Sequence, residues 1–233
     1  PPGLWGSGPA RGIGPARGEA IADAVLRAEN PVAFAVYLGL QPRAVAALDR
    51  LARTCGIRVG EFSSIDLNIP QDSPCFAGSD PLALLAGADL GLLLDTDVPF
   101  VPQTAKRASA MKWIQIDLDP LKADFPMCGF ATDMRIQGDS AVILQQVCEA
   151  VEARVDDAWR RRIAARIASW RSASEAAVQK RATAAANKGV SGALNPAFVL
   201  ATLSGKNSQD DIVLNEAIRN GPGLQEHVRR TKP

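Results

Sequence analysis

Two short stretches are apolar from end to end: VAFAVY over residues 32–37 and LGLLL over residues 90–94. They narrow the fold more than any other feature. Each has the length of a strand and is too short for a helix of ordinary size. A strand with one face in water alternates apolar and polar side chains, whereas these do not alternate. Both of their faces must therefore be buried, as happens when helices cover a parallel sheet. Further strands are predicted over 57–62, Lys112–Asp117 and 134–138.

Helical segments fall between them. Residues 16–29 have helical composition, and Pro31 stops them. Pro42–Cys55 places Val45, Leu48, Ala52 and Cys55 on one face, with Gly56 as a C-terminal stop. A short helix is predicted over 81–87. Asp139 stands where it can cap a helix over 140–153. Residues 63–80, SSIDLNIPQDSPCFAGSD, form a loop rich in Ser, Asp and Pro. The alternation predicts an α/β fold over 16–153: a Rossmann-like open parallel sheet with helices on both faces.

The pattern then changes. Residues 156–187 are rich in Ala and Arg and predict one long connecting helix. Trp159, Ile163, Ile167 and Trp170 share its docking face, while the rest is charged. Lys188 and Gly189 end it. ALNPAFVLATLSG predicts a fresh helix with Asn195 as cap and Pro196 at its first position. DDIVLNEAIRNGPG predicts a sixth strand running into a Gly-rich loop. The organisation expected is a linker over 1–15, a central domain over 16–153, a connecting helix over 154–192, and a truncated start of a second α/β domain over 193–233. Ile212, Val213 and Leu214 are expected to pack on the central domain, pair with another chain or lack fixed order.

Composition excludes several functions. The 26 basic and 25 acidic side chains leave a net charge of +1, which gives no electrostatic case for nucleic acid or an anionic membrane. No apolar run approaches the ~20 residues of a membrane span. The first residues lack the apolar centre of a signal peptide, so a cytoplasmic protein is expected. Cysteines at 55, 75, 128 and 148 form no C-x-x-C pair and read as free thiols rather than zinc ligands. The only histidine, His227, lies in the solvated-looking QEHVRR, which disfavours a Ser-His-Asp triad. GSGPARG near the start lacks the Gly-Lys-Ser/Thr ending of a phosphate loop, and no strand precedes it.

Three predicted strands end in acids: LLLDTDVPFVP, IQIDLDP and RIQGDS. The carboxyl ends of parallel strands line the edge where open α/β sheets bind ligands. Three readings stay open there: helix capping and loop hydrogen bonding by Asp, contacts to a nucleotide, and a Mg²⁺ site.

The ordered set ADLGLLLDTDVPFVPQ, KWIQIDLDPLKADFPM and DMRIQGDS resembles the central domain of thiamine-diphosphate-dependent enzymes of the acetolactate-synthase-like and benzoylformate-decarboxylase-like branch. AENPV at 28–32, YLGLQPRAVAALDRLA at 37–52 and NIP at 68–70 fall in the expected order. The resemblance covers 16–153 and extends through the connecting helix to IVLNEAIRN, which looks like the first strand and loop of a diphosphate-binding domain. It implies a larger subunit, a homodimer or homotetramer, that acts on a 2-keto acid with thiamine diphosphate and Mg²⁺. The family's first domain with its activating glutamate, and the Gly-Asp-Gly and Asn of its third, have no match here. Gly138-Asp139-Ser140 departs from that motif at its third residue.

Carried over by position, the residues implied for cofactor binding are Gly39, Asp117, Asp119 and Asp139 for FAD or ADP in the central domain. Asn215 and Glu216, in the loop 215–220, are implied near the diphosphate. Asp97-Val98-Pro99 is expected to fix a loop facing the first domain. No G-x-G-x-x-G opens the first helix. The function expected is part of a thiamine-diphosphate-dependent decarboxylase or carboligase, inactive alone. The alternative is a free-standing FAD- or ADP-binding module. An NAD-dependent deacylase would need a catalytic histidine and paired cysteines inside the sheet domain.

Overall fold

The computed structural model describes residues 10–62, 64–100, 111–122, 130–216 and 219–232. Residues 1–9 of the expected linker and Cys128 lie outside them. Five strands form one sheet: β1 (Pro31–Ala35), β2 (Arg58–Gly60), β3 (Leu90–Leu94), β4 (Lys112–Asp117) and β5 (Met134–Gln137). Every pairing is parallel, and the order is β2-β1-β3-β4-β5. The α/β class and the parallel sheet inferred from uninterrupted apolar runs are both present. All five residues of β1 and of β3 are buried.

The two faces are covered unequally. Helices α1 (Pro15–Arg27), α2 (Pro42–Cys55) and α4 (Ser140–Glu152) lie over one face. Ala33, Ala35, Leu92, Leu94, Ile114 and Ile116 point into the core they enclose, together with Leu48, Cys55, Leu144 and Val147. Each fully buried aliphatic side chain contributes about 2 kcal/mol. The opposite face meets the short helix α3 (Pro81–Leu85) and a cluster of rings. Phe100 sits 5.6 Å from Trp113 and 5.8 Å from Phe34, centre to centre. Gly91 makes this cluster possible. It pairs with Trp113 across β3 and β4, and a Cβ on Gly91 would lie 2.4 Å from the indole. The side chain missing from one strand is the space filled by the ring on the next.

Caps follow the sequence. The Asp139 carboxylate accepts from the Val142 amide at the start of α4. Segment 10–14, which includes Gly12 and Gly14, runs over the surface. The Ile13 amide donates to Gln146 Oε1 at 2.9 Å, and Arg11 O accepts from the Asp139 amide at 2.8 Å.

The expected single helix over 156–187 is two helices, α5 (Asp157–Ser169) and α6 (Arg171–Ala186). The docking face is correct for α5. Ile163 is buried, and Ile167 and Trp170 pack against the main core. Trp159 Nε1 donates to Thr54 O at 2.9 Å. Arg166 donates to Cys55 O at 3.1 Å and to Ala28 O at 3.4 Å, so one guanidinium meets the carbonyl ends of α1 and α2. The Trp170 amide bonds to Ile167 O, a tightened turn that separates a helix anchored to the core from one with no buried residue.

Beyond α6, a two-residue ribbon pairs β6 (Gly189–Val190) with β7 (Ala193–Leu194) antiparallel. No strand is predicted at these residues from the sequence; they precede the expected cap Asn195. The following helix, α7 (Pro196–Ser204), starts with Asn195 accepting from the Ala197 amide, as predicted. The sixth strand is not formed: residues 211–216 carry no strand, and Ile212 and Leu214 are 89% and 87% exposed. A strand exists only where a neighbour completes its ladder. Both residues therefore fail to pack on the central domain. The chain then forms α8 (Gly221–His227), packed on α7. Its tail is pinned to the domain: Gln71 N donates to Arg230 O, and Arg230 N donates to Gln71 Oε1 at 2.9 Å. Among the described residues no helix is long and apolar enough to cross a membrane.

The candidate ligand edge of the sheet

Strands β2 and β3 lie on opposite sides of β1, so the strand order reverses between β1 and β3. An open sheet offers its ligand crevice at the carboxyl ends beside such a point. Tyr37 follows β1 and Asp95 follows β3. Their backbones are joined there by Tyr37 N to Asp95 O at 3.0 Å, and Asp95 N reaches Ile116 O at 3.1 Å. The crevice is thus bridged at its base. Asp95 takes a left-handed conformation, φ 42°, a strained choice for a side chain other than glycine or asparagine.

Four polar side chains close over that bridge. Lys122 Nζ lies 2.9 Å from Asp97 Oδ1 and 2.9 Å from Asp117 Oδ2. Tyr37 Oη donates to the other oxygen of Asp97 at 2.9 Å. The second oxygen of Asp117 accepts from the Asp119 amide. The side chains of Lys122 and Asp117 are only 12% and 6% exposed, so this is a largely buried ion cluster. Burial opposes the charge on Lys122, but its bonds to Asp117 and Asp97 outweigh burial and hold its pKa above the ordinary lysine value. Asp97 raises the Tyr37 pKa first by accepting its hydrogen bond and then through its charge.

Asp95 lies beside this cluster. Ser140 Oγ donates to its Oδ1 at 2.7 Å. Burial pushes the Asp95 carboxyl up to about 6, against the Ser140 hydrogen bond, and the nearby Asp117 charge adds to the rise. Asp139 is occupied by its helix cap and by Arg43, 3.5 Å away.

The residues expected from sequence divide into two groups. Asp117, Asp119 and Asp139 share the carboxyl edge, with Gly138 N donating to Asp117 O. Gly39 joins the same edge, in a single 3-10 turn over Leu38–Leu40. A Cβ there would lie 2.3 Å from Leu67 O, and the Gly39 amide donates to Asn68 Oδ1 at 3.3 Å. The glycine therefore admits the 66–68 loop, and its amide is already engaged. Asn215 and Glu216 stand apart, in the exposed segment before α8; residues 217 and 218 of their loop are outside the described residues. Asp97 is held by Tyr37 and Lys122.

Sequence reasoning missed Lys122, Tyr37, Asp95 and Ser140 as members of one cluster. The only signal was a lysine five residues after the strand-ending Asp117. Its backbone is also left-handed, φ 48°, which no spacing rule foretells.

The buried thiols are ordinary. Burial pushes Cys55 and Cys75 up to about 12 and Cys148 to about 11, which keeps them protonated and unreactive. No group of three His, Cys, Asp or Glu side chains is placed to hold a metal ion among the described residues.

No family model matches the chain, and neither does any curated protein. Solved structures do. The structure of benzoylformate decarboxylase from Polynucleobacter necessarius superimposes with a TM-score of 0.70 over 98% of this chain, at 14% identity. A protein from Mycobacterium smegmatis assigned as a thiamin diphosphate-dependent enzyme gives 0.66 over 98%, at 16% identity. The chain spans 41% and 42% of those two proteins. It has the fold of the corresponding part of each.

Proposed function

We propose that the chain is the central part of a thiamine-diphosphate-dependent enzyme that decarboxylates a 2-keto acid or joins it to a second carbonyl compound. In this reading it is a scaffold that positions neighbouring domains, and it is not catalytic alone. One observation carries the proposal. The fold match takes in nearly the whole chain, connecting helices included, yet under half of each neighbour. The order of motifs along residues 16–153 supports it independently.

The scaffold role rests on chemistry at the sheet edge. The acids that would greet a nucleotide are neutralised by Lys122 or committed to caps, and the 66–68 loop abuts Gly39. These residues do not fit a bound FAD or ADP. Nor do the described residues offer a donor set for Mg²⁺ and thiamine diphosphate, so no chemical step is assigned to them. Where such a cofactor is bound, it supplies the electron sink for decarboxylation. The intact protein in this reading is a cytoplasmic homodimer or homotetramer.

The test is turnover by the purified chain with benzoylformate or pyruvate, thiamine diphosphate and Mg²⁺. No carbon dioxide release above the enzyme-free rate is expected. Clear turnover would show that a working site exists within these residues.

A further inference from the structure

Glu61 follows β2 directly and is 5% exposed. Its two oxygens face different donors. Oε1 accepts from the backbone amides of Asn68 and Ile69. Oε2 accepts from Gln71 Nε2 at 3.2 Å. Gln71 is buried as well, and its own Oε1 accepts from the Arg230 amide at 2.9 Å. A continuous line of hydrogen bonds thus runs from the end of β2 to the tail after α8.

The direction of every bond along this line is locked. A backbone N–H can only donate. Asn68 and Ile69 therefore hold Glu61 Oε1 as an acceptor, and Arg230 holds Gln71 Oε1 as an acceptor. Gln71 must then turn its NH₂ toward Glu61, and Glu61 Oε2 must accept it. A proton taken up by Glu61 goes to Oε2, where it makes a donor facing a donor. Turning the Gln71 amide over relieves the conflict, because its oxygen then accepts from the carboxyl. The same turn points the NH₂ at the Arg230 N–H, which loses its acceptor.

The tail carries other residues with it. Arg230 Nη1 donates to Ser208 O at 2.7 Å, the Thr231 amide donates to Gln209 Oε1 at 2.9 Å, and Gln209 Nε2 donates to Arg229 O at 3.2 Å. Other ties to the sheet domain survive a turn of Gln71: Gln71 N to Arg230 O at 3.0 Å, Gln225 Nε2 to Ser64 O at 3.5 Å, and Arg229 over the Phe76 ring. Loss of the Arg230 bond therefore loosens this segment without detaching it.

Charged and titratable side chains on the surrounding elements are Arg58 on β2, Asp66 and Asp72 on the loop, Asp80 after Gly78, and His227 and Arg230 on the last segment. Arg58 is engaged by Asn30 and Leu84 O, and Asp80 by the cap of α3. Burial acts most strongly on Glu61 and raises its pKa from the ordinary 4.5. The hydrogen bonds from Asn68, Gln71 and Ile69 oppose this, and they act ahead of any of these charges.

We propose that Glu61 is a proton-operated latch: as a carboxylate it keeps Gln71 in the orientation that holds Arg230, and on protonation it reverses Gln71 and loosens the segment carrying residues 208–211 and 229–231. The latch is closed above the pH at which Glu61 titrates and opens as pH falls through it. By linkage, releasing the Arg230 amide must in turn favour the proton on Glu61. The inference does not depend on the proposed function.

The test is nuclear magnetic resonance of the chain from pH 4.5 to 8, following the Glu61 carboxyl carbon and the exchange protection of the Arg230 amide. Protection should fall about tenfold, the loss of one hydrogen bond, at the pH where Glu61 titrates. Glu61→Gln presents an NH₂ to Gln71 and should give the low protection at every pH. His227→Gln and Asp66→Asn should keep the wild-type pH dependence. Arg230→Pro removes the N–H that orients Gln71 and should move the Glu61 titration to higher pH; it decides the matter if Glu61→Gln fails to fold. Protection that ignores the Glu61 titration, full protection in Glu61→Gln, an unmoved Glu61 titration in Arg230→Pro, or a pH dependence lost in His227→Gln or in Asp66→Asn would each overturn the proposal.

Discussion

Replacing Asp95 by asparagine should stabilise the protein at neutral pH and leave it unchanged in acid. Asp95 sits beside the closed crevice, and burial raises its pKa from 3.8 to about 6. The folded state thus holds the proton more tightly than the unfolded chain. Stability from this group is fully present below 3.8 and is lost as pH rises through about 6. At about 1.4 kcal/mol per pH unit, the gap corresponds to roughly 3 kcal/mol lost by pH 7.5. Asparagine keeps an oxygen to accept from Ser140 Oγ, carries no charge, and tolerates the left-handed backbone. Asp95→Asn should therefore gain about 1–3 kcal/mol at pH 7.5, the gain shrinking toward zero near pH 4. Urea unfolding from pH 4 to 8, with the slope m compared between the two proteins, measures this directly. A gain that is absent, or the same at every pH, would refute the claim that burial of the carboxylate sets the effect.

Other variants probe the remaining contacts. Lys122→Met should cost about 3 kcal/mol, because it leaves Asp117 buried without its cation, and adding Asp117→Asn should restore part of that loss in the same unfolding assay. Gly91→Ala should cost about 1–3 kcal/mol by driving a methyl into Trp113, with the near-ultraviolet dichroism of the indole perturbed as well. Arg166→Ala should cost about 2 kcal/mol by removing the donor that joins α5 to the ends of α1 and α2, with hydrogen exchange rising first in α5 and in the last turn of α2.

The layered sheet was legible because burial on both faces writes itself into composition. Leu90–Leu94, Lys112–Asp117 and Pro42–Cys55 begin and end where the apolar runs, Pro42 and Gly56 place them. Contacts between distant residues were less legible. Nothing local marks the turn at Trp170, which has neither Gly nor Pro. It follows from Ile163, Ile167 and Trp170 being drawn to the core while α6 leaves it. The sixth strand failed for a related reason: IVL has the right propensity, but propensity cannot supply a partner ladder. At the sheet edge, the spacing Asp117-Leu118-Asp119-Pro120 announced a strand end with acids. It could not announce that Lys122 would fold back, with a positive φ, to neutralise Asp117 and Asp97 together. That pairing turns a ligand edge inferred from fold into a brace.

The scaffold account turns on whether the edge accepts a nucleotide, and calorimetric titration of the chain with FAD and ADP measures this most directly. An edge neutralised from within should give no saturable heat with either compound up to millimolar concentration. A Kd in the micromolar range, about −8 kcal/mol, abolished by Asp117→Ala, would contradict the account and make the chain a nucleotide-binding module.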